Sequence, residues 1–229
     1  MRRQLTILAV VACLPVSAAM ALRPLPSDPN GIAGFSGTTD FFGTNGTDSL
    51  NVSVDYAVFA PGQWTTAGGA WQQILNDVTF SNFAVGDVAN EYVYAYQVTN
   101  NATAVGGNAA STTVLSQLNI GFSQNFAATS LGKDDAFDAD HDVTVDSGGI
   151  LQQLARFNFF FTGPALDVGQ HSTILLMTSP NAPTFQQGSV KDSGIGSMTG
   201  TLPSPVPAPG AAVLAMIGVG LVGRLRRRA

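Results

Sequence analysis

The chain has 229 residues and a net charge of −5, but six of its ten basic residues sit at the two ends. Between them only Arg23, Lys133, Arg156 and Lys191 stand against all fifteen acidic residues, a balance of −11 that disfavours nucleic acid and anionic lipid and favours cations or neutral polar partners. The single cysteine, Cys13, lies in the N-terminal apolar run, so the rest forms no disulfide and must be held by its core; about 180 residues suffice for one domain burying roughly 70% of its unfolded surface.

Met1-Arg2-Arg3, the apolar run Leu5 to Val16 and the small residues Ser17-Ala18-Ala19-Met20-Ala21 have the order of a secretory signal peptide, residues 1–21. Residues 22–193 are expected to form one β-sandwich body. Arg23 to Gly46, rich in Pro, Gly, Thr and Asn, reads as a loop around an apolar knot, Phe41-Phe42. Leu50 to Phe59 alternates Val52, Val54, Tyr56 and Val58 against polar or small residues, the pattern of a half-buried strand, and Ala60-Pro61-Gly62 ends it. Trp71 to Leu75 and Val78 to Val85 are two shorter strand candidates. Glu91 to Val98 carries the strongest strand pattern, with Tyr92, Tyr94 and Tyr96 on one face. That stripe has two readings: a platform on which sugar rings of a polysaccharide stack, or a core stripe whose hydroxyls reach the wet margin of the sheet.

Thr112 to Phe122 is a further expected strand, with Leu115 out of phase. The segment 134–146 holds six carboxylates in thirteen residues. Asp138, Asp140, Asp142 and Asp146 fall at positions 1, 3, 5 and 9 of a twelve-residue loop, a spacing of hard oxygen ligands that suits Ca2+, although Val143 and Gly149 stand where such loops carry Gly and Glu; a solvated acidic loop is the other reading. Ile150 to Phe161 fits helix in part, but its consecutive aromatics favour strand from Arg156 onward. Thr173 to Thr178 reads as a buried strand and Phe185 to Val190 as an edge. Many short strands between Gly, Pro and Asn turns indicate an all-β antiparallel sandwich or jelly roll.

Catalytic signals are weak. His141 and His171 are the two histidines, no nucleophile elbow or phosphate-cradling loop occurs, and a glycosidase would need two carboxylates at a set distance in a cleft. A noncatalytic protein is expected, a carbohydrate-binding module and a secreted hydrolase being the alternatives.

Residues 194–209 read as a Gly/Ser/Pro-rich linker. In it Pro203, Pro205, Pro207 and Pro209 alternate with other residues and favour an extended spacer outside the compact part. Residues 210–223 carry no charge, and Arg224, Arg226, Arg227 and Arg228 follow. Fourteen helical residues reach about 21 Å, short of a hydrocarbon core of roughly 30 Å unless the arginines snorkel. Those arginines belong on the cytoplasmic side, which leaves the body outside.

This tail, with Val206, Pro207, Ala208 and Pro209 ahead of an apolar run and a basic end, resembles the PEP-CTERM sorting signal, here residues 203–229 with Ala208 in place of the family's usual Glu. The phrases Val54 to Gly62 and Glu91 to Val98 are also similar to segments of bodies that carry this signal. The resemblance implies an exosortase-like membrane enzyme as partner, attachment to the membrane through the tail, and association with exopolysaccharide-producing cells. The combined expectation is an exported cell-surface or extracellular-matrix protein.

Overall fold

The structure, a computed structural model, describes Leu25 and residues 31–66, 78–79, 87–121, 127–134, 142–143, 147–151, 154–159, 165–192 and 194–205. The described residues are mostly strand, arranged in two antiparallel sheets, as the turn-punctuated sequence predicts. In chain order the elements are β1 (Ser36–Asn45), β2 (Asp48–Phe59), α1 (Gln63–Thr66), β3 (Val78–Thr79), α2 (Asp87–Asn90), β4 (Tyr92–Asn100), β5 (Gln117–Ile120), β6 (Ser130–Asp134), β7 (Asp142–Val143), β8 (Ser147–Leu151), β9 (Leu154–Asn158), β10 (His171–Ser172), β11 (Leu175–Ser179), β12 (Pro183–Asp192) and β13 (Gly196–Pro205).

One sheet has the order β1-β2-β4-β11-β6-β3, with β10 against β4 and β7 parallel to β10. The other has the order β13-β12-β5-β9-β8. The alternation read in β2 and β4 is the reason they are central. Leu50, Val52, Val54 and Val58, with Tyr94, Tyr96 and Val98, face Leu118, Ile120, Phe157, Val190 and Leu202 of the second sheet in one apolar core. The opposite face of the first sheet is covered as well. Ala57, Phe59, Val93, Ala95, Ile174 and Leu176 pack under Trp64 of α1, Val88 of α2 and Leu25, whose N–H donates to Gln97 Oε1 at 2.7 Å. Phe59 and Trp64 meet edge to face, 4.9 Å between ring centres.

Five expectations need correction. Ser36–Asn45, expected as loop, pairs with β2 along its whole length. Its inward positions are small apart from Phe41 because β13 presses against them: a Cβ on Gly43 would fall 2.6 Å from Met198, and one on Gly200 would fall 2.7 Å from the Phe41 ring. Phe185 to Val190, expected as an edge, lies in β12, between β13 and β5. The strand drawn from Thr112 to Phe122 is confined to Gln117–Ile120; Leu115 falls out of phase because it bridges to Leu166. The strand expected from Arg156 begins at Leu154 and forms a hairpin with Ser147–Leu151. Trp71 to Leu75, and Val78 to Val85 beyond Thr79, lie outside the described residues.

The fifth correction bears on function. The proline-rich lead is not a spacer up to Pro205, and the 193/194 boundary cuts through a hairpin: β13 pairs with β12 residue by residue from Gly196 to Pro205. Pro203 and Pro205 cost no ladder bond. Lacking an N–H, Pro203 fits opposite Phe185 only as a pair whose polar groups point away from β12, and the same phase holds for Thr201 and Pro205. Their carbonyls are used there: Thr201 accepts from Thr39 Oγ1 at 2.8 Å, Pro203 from the Tyr96 hydroxyl at 2.7 Å, and Pro205 from the Ala127 N–H at 3.2 Å. The edge is therefore closed against a further strand.

Candidate functional site

Tyr94 and Tyr96 are buried and belong to the core, so the tyrosine stripe is no sugar platform; Tyr92, half-buried, packs at its margin. Their hydroxyls end on carbonyls, Tyr94 on Asn181 at 2.8 Å and Tyr96 on Pro203. Burial pushes both phenols well above their ordinary pKa. The stripe is thus a pair of clamps from β4 to the β11–β12 turn and to β13.

Asp138, Asp140 and Asp146 lie outside the described residues, as do His141, Val206, Pro207, Ala208, Pro209 and the four tail arginines. Asp142 lies in β7, where its backbone pairs with His171, and the His171 Nδ1 is 2.8 Å from Thr99 Oγ1. Among the described residues no three of His, Cys, Asp and Glu are gathered for a metal, and no helix is long and apolar enough to cross a membrane.

The surface that sequence reading missed is the outer face of the five-stranded sheet. Opposite the core phase of Val190, Leu118 and Phe157, the register aligns Thr199, Ser189, Asn119, Arg156 and Gly149 in one row across all five strands. A second row aligns Ser197, Lys191, Gln117, Asn158 and Ser147. Asn119 ties the rows together: its Nδ2 donates to Ser189 Oγ at 3.0 Å, and its Oδ1 accepts from Gln117 Nε2 and from Arg156 Nε at 3.3 Å. Along β12 and β13 this face runs into an open depression of about 390 Å3 lined by Phe185, Gln186, Gln187, Thr199, Gly200 and Thr201. Phe185, 43% exposed, is held by a stacked Phe35 with ring centres 5.1 Å apart and by the edge of Tyr56 at 6.0 Å.

An anchored aromatic ring beside amides and hydroxyls offers an apolar patch and neutral hydrogen-bonding groups together, the chemistry a polyhydroxylated ligand meets. Compared with known proteins, the chain matches no family model, no curated protein and no solved structure.

Proposed function

We propose that the chain is an exported, noncatalytic protein of the cell surface or extracellular matrix, built as a β-sandwich and sorted by its C-terminal tail. The observation that carries this reading is the end of β13. Its last paired residue is Pro205, and Val206 of the Val206-Pro207-Ala208-Pro209 motif follows directly. A membrane enzyme of the exosortase kind, cutting in that motif, removes no residue of a described strand, since the apolar run 210–223 and Arg224, Arg226, Arg227 and Arg228 all follow β13 in the chain. The same junction is short: five extended residues from Pro205 to Gly210 span at most about 17 Å, which keeps the body close to the bilayer until the cut.

Intact-mass spectrometry of the protein taken from its native cell surface tests this. The expected mass lacks residues 1–21 and the residues beyond the Pro207 region. A mass that retains 210–229 refutes sorting by cleavage. A second reading, carbohydrate binding by the body, is favoured by the Phe185 depression with its amide and hydroxyl lining and no longer by the tyrosines.

A further inference from the structure

The net charge of the chain conceals a face of opposite character. Of the residues in β13, β12, β5, β9 and β8 only Asp192 is acidic, and it is 2% exposed, with its Oδ2 accepting the N–H groups of Gly194 at 3.0 Å and Ile195 at 3.1 Å. The outward residues of the same strands include Arg156 and Lys191, two of the four cations between the chain's basic ends. We infer that this face binds an acidic polysaccharide, one whose sugars carry carboxylates, with Arg156 and Lys191 meeting the charges and Gln117, Asn158, Ser197 and Thr199 meeting the hydroxyls.

Three observations carry the step from surface to ligand. Arg156, on the outward phase of β9, donates its Nε to Asn119, and among the described residues its two terminal nitrogens make no bond, leaving the fork suited to a carboxylate to a ligand. The register puts Lys191 two strands and two residues from Arg156, about 12 Å between Cα atoms at ordinary strand spacing, a span that long side chains can match to carboxylates a few sugars apart along one chain. The acids Asp40 and Asp55 belong to the other sheet and are engaged there by Ser53 Oγ and Thr38 Oγ1. Neutral side chains between the two cations fit a ligand that is mostly hydroxyl, where a nucleic acid or anionic bilayer calls for a denser basic patch.

This inference rests on the exported-protein reading for where such a polymer is met, and not for whether it is bound. The test uses the full chain in a non-ionic detergent, with EDTA present so that no divalent ion bridges carboxylates, and measures binding to polygalacturonate and to neutral dextran. Binding to polygalacturonate over dextran, weakening with salt, is expected. The double variant R156Q/K191Q should bind about fivefold more weakly, whereas K133Q, on the other sheet, should bind like wild type. Lys191→Glu alone, at an exposed position, should weaken binding at least as much and serves if the double variant folds poorly by near-ultraviolet circular dichroism. Absence of polygalacturonate binding, equal retention of dextran, unchanged affinity in these variants, or an equal loss in K133Q each overturns the inference. Retention of the tail in the mass measurement leaves this result untouched, and a failed binding test leaves the sorting proposal untouched.

Discussion

Replacing Tyr96 by Phe isolates the clamp between the sheets. The ring stays and its apolar contacts with it; only the hydroxyl, 2.7 Å from the Pro203 carbonyl in a fully buried setting, is lost. A hydrogen bond is worth about 1 kcal/mol net, but stranding a buried carbonyl adds its desolvation penalty of about 1–3 kcal/mol, and Pro203 is buried on the side facing away from β12. The expected loss is about 2 kcal/mol, or roughly 4–8 °C in Tm for a domain of this size. Tyr94→Phe should cost less, about 1 kcal/mol, because Asn181 is only half-buried and water can replace the hydroxyl. Urea titration at constant m measures both. Equal losses, or a Tyr96→Phe loss under about 0.5 kcal/mol, would refute the account of β13 as an edge held by Tyr96. The same phenols set the alkaline limit. An unfolded tyrosine ionises near pH 10, while both folded phenols are raised, first by burial and then by a neighbouring phenol of the stripe, Tyr92 for Tyr94 and Tyr94 for Tyr96. Below about pH 10 both states hold the proton and stability is fully present; above it the unfolded state holds fewer, so stability falls by about 1.4 kcal/mol per pH unit for each tyrosine. Tyr96→Phe should remove one such increment from the slope above pH 10.

Two further outcomes follow from the corrected boundaries and loops. A chain ending at Pro205 should unfold at the same urea midpoint as the full chain, whereas one ending at Asp192 loses β13 with Met198 and Leu202, uncovers Phe41, and should show no cooperative transition; a cooperative transition in the shorter chain would return the boundary to residue 193. Asn51, fully buried, donates its Nδ2 to the carbonyls of Ala109 at 2.9 Å, Val105 at 3.2 Å and Asn108 at 3.4 Å, so Asn51→Asp sets an acceptor against acceptors and should cost about 3 kcal/mol at neutral pH. Measured against wild type at the same pH, that loss should shrink near pH 4 as the new carboxyl takes up a proton; a loss independent of pH would mean that shape and not the donor matters.

The fold was legible where the pattern of side chains decided it. In β2 and β4, Val and Tyr alternate with smaller or polar residues, and both strands are central. β1 and β13 were hidden because each contributes few large apolar residues: Phe41 in one, Met198 and Leu202 in the other. Their small residues read as loop or linker, yet Gly43 and Gly200 are small because Met198 and Phe41 fill the space above them. Proline was misleading for a physical reason. It excludes a strand only where its nitrogen faces a partner, and sequence does not say which way the nitrogens of Pro203 and Pro205 face. The tyrosines posed a similar problem, since period two places three of them on one face without telling whether the hydroxyls end at water or at a carbonyl 107 residues away.

The candidate face lay deeper still. Arg156 and Lys191 stand thirty-five positions apart in an acidic sequence and share no motif. Only the pairing of β9 with β5 and of β5 with β12 sets them on one surface, and the inward turn of Asp192 takes the one carboxylate of the five strands away from it. A whole-chain charge argument predicts repulsion of anionic partners, whereas screening makes the partner feel mainly the face it touches. The consequence is directional: an anionic polymer should approach this chain from the side of the five-stranded sheet, with the acidic strands β1 and β2 turned away. Substituting the cations should therefore change affinity far more than removing an equal charge from β6, which is why K133Q decides between a face and a net charge.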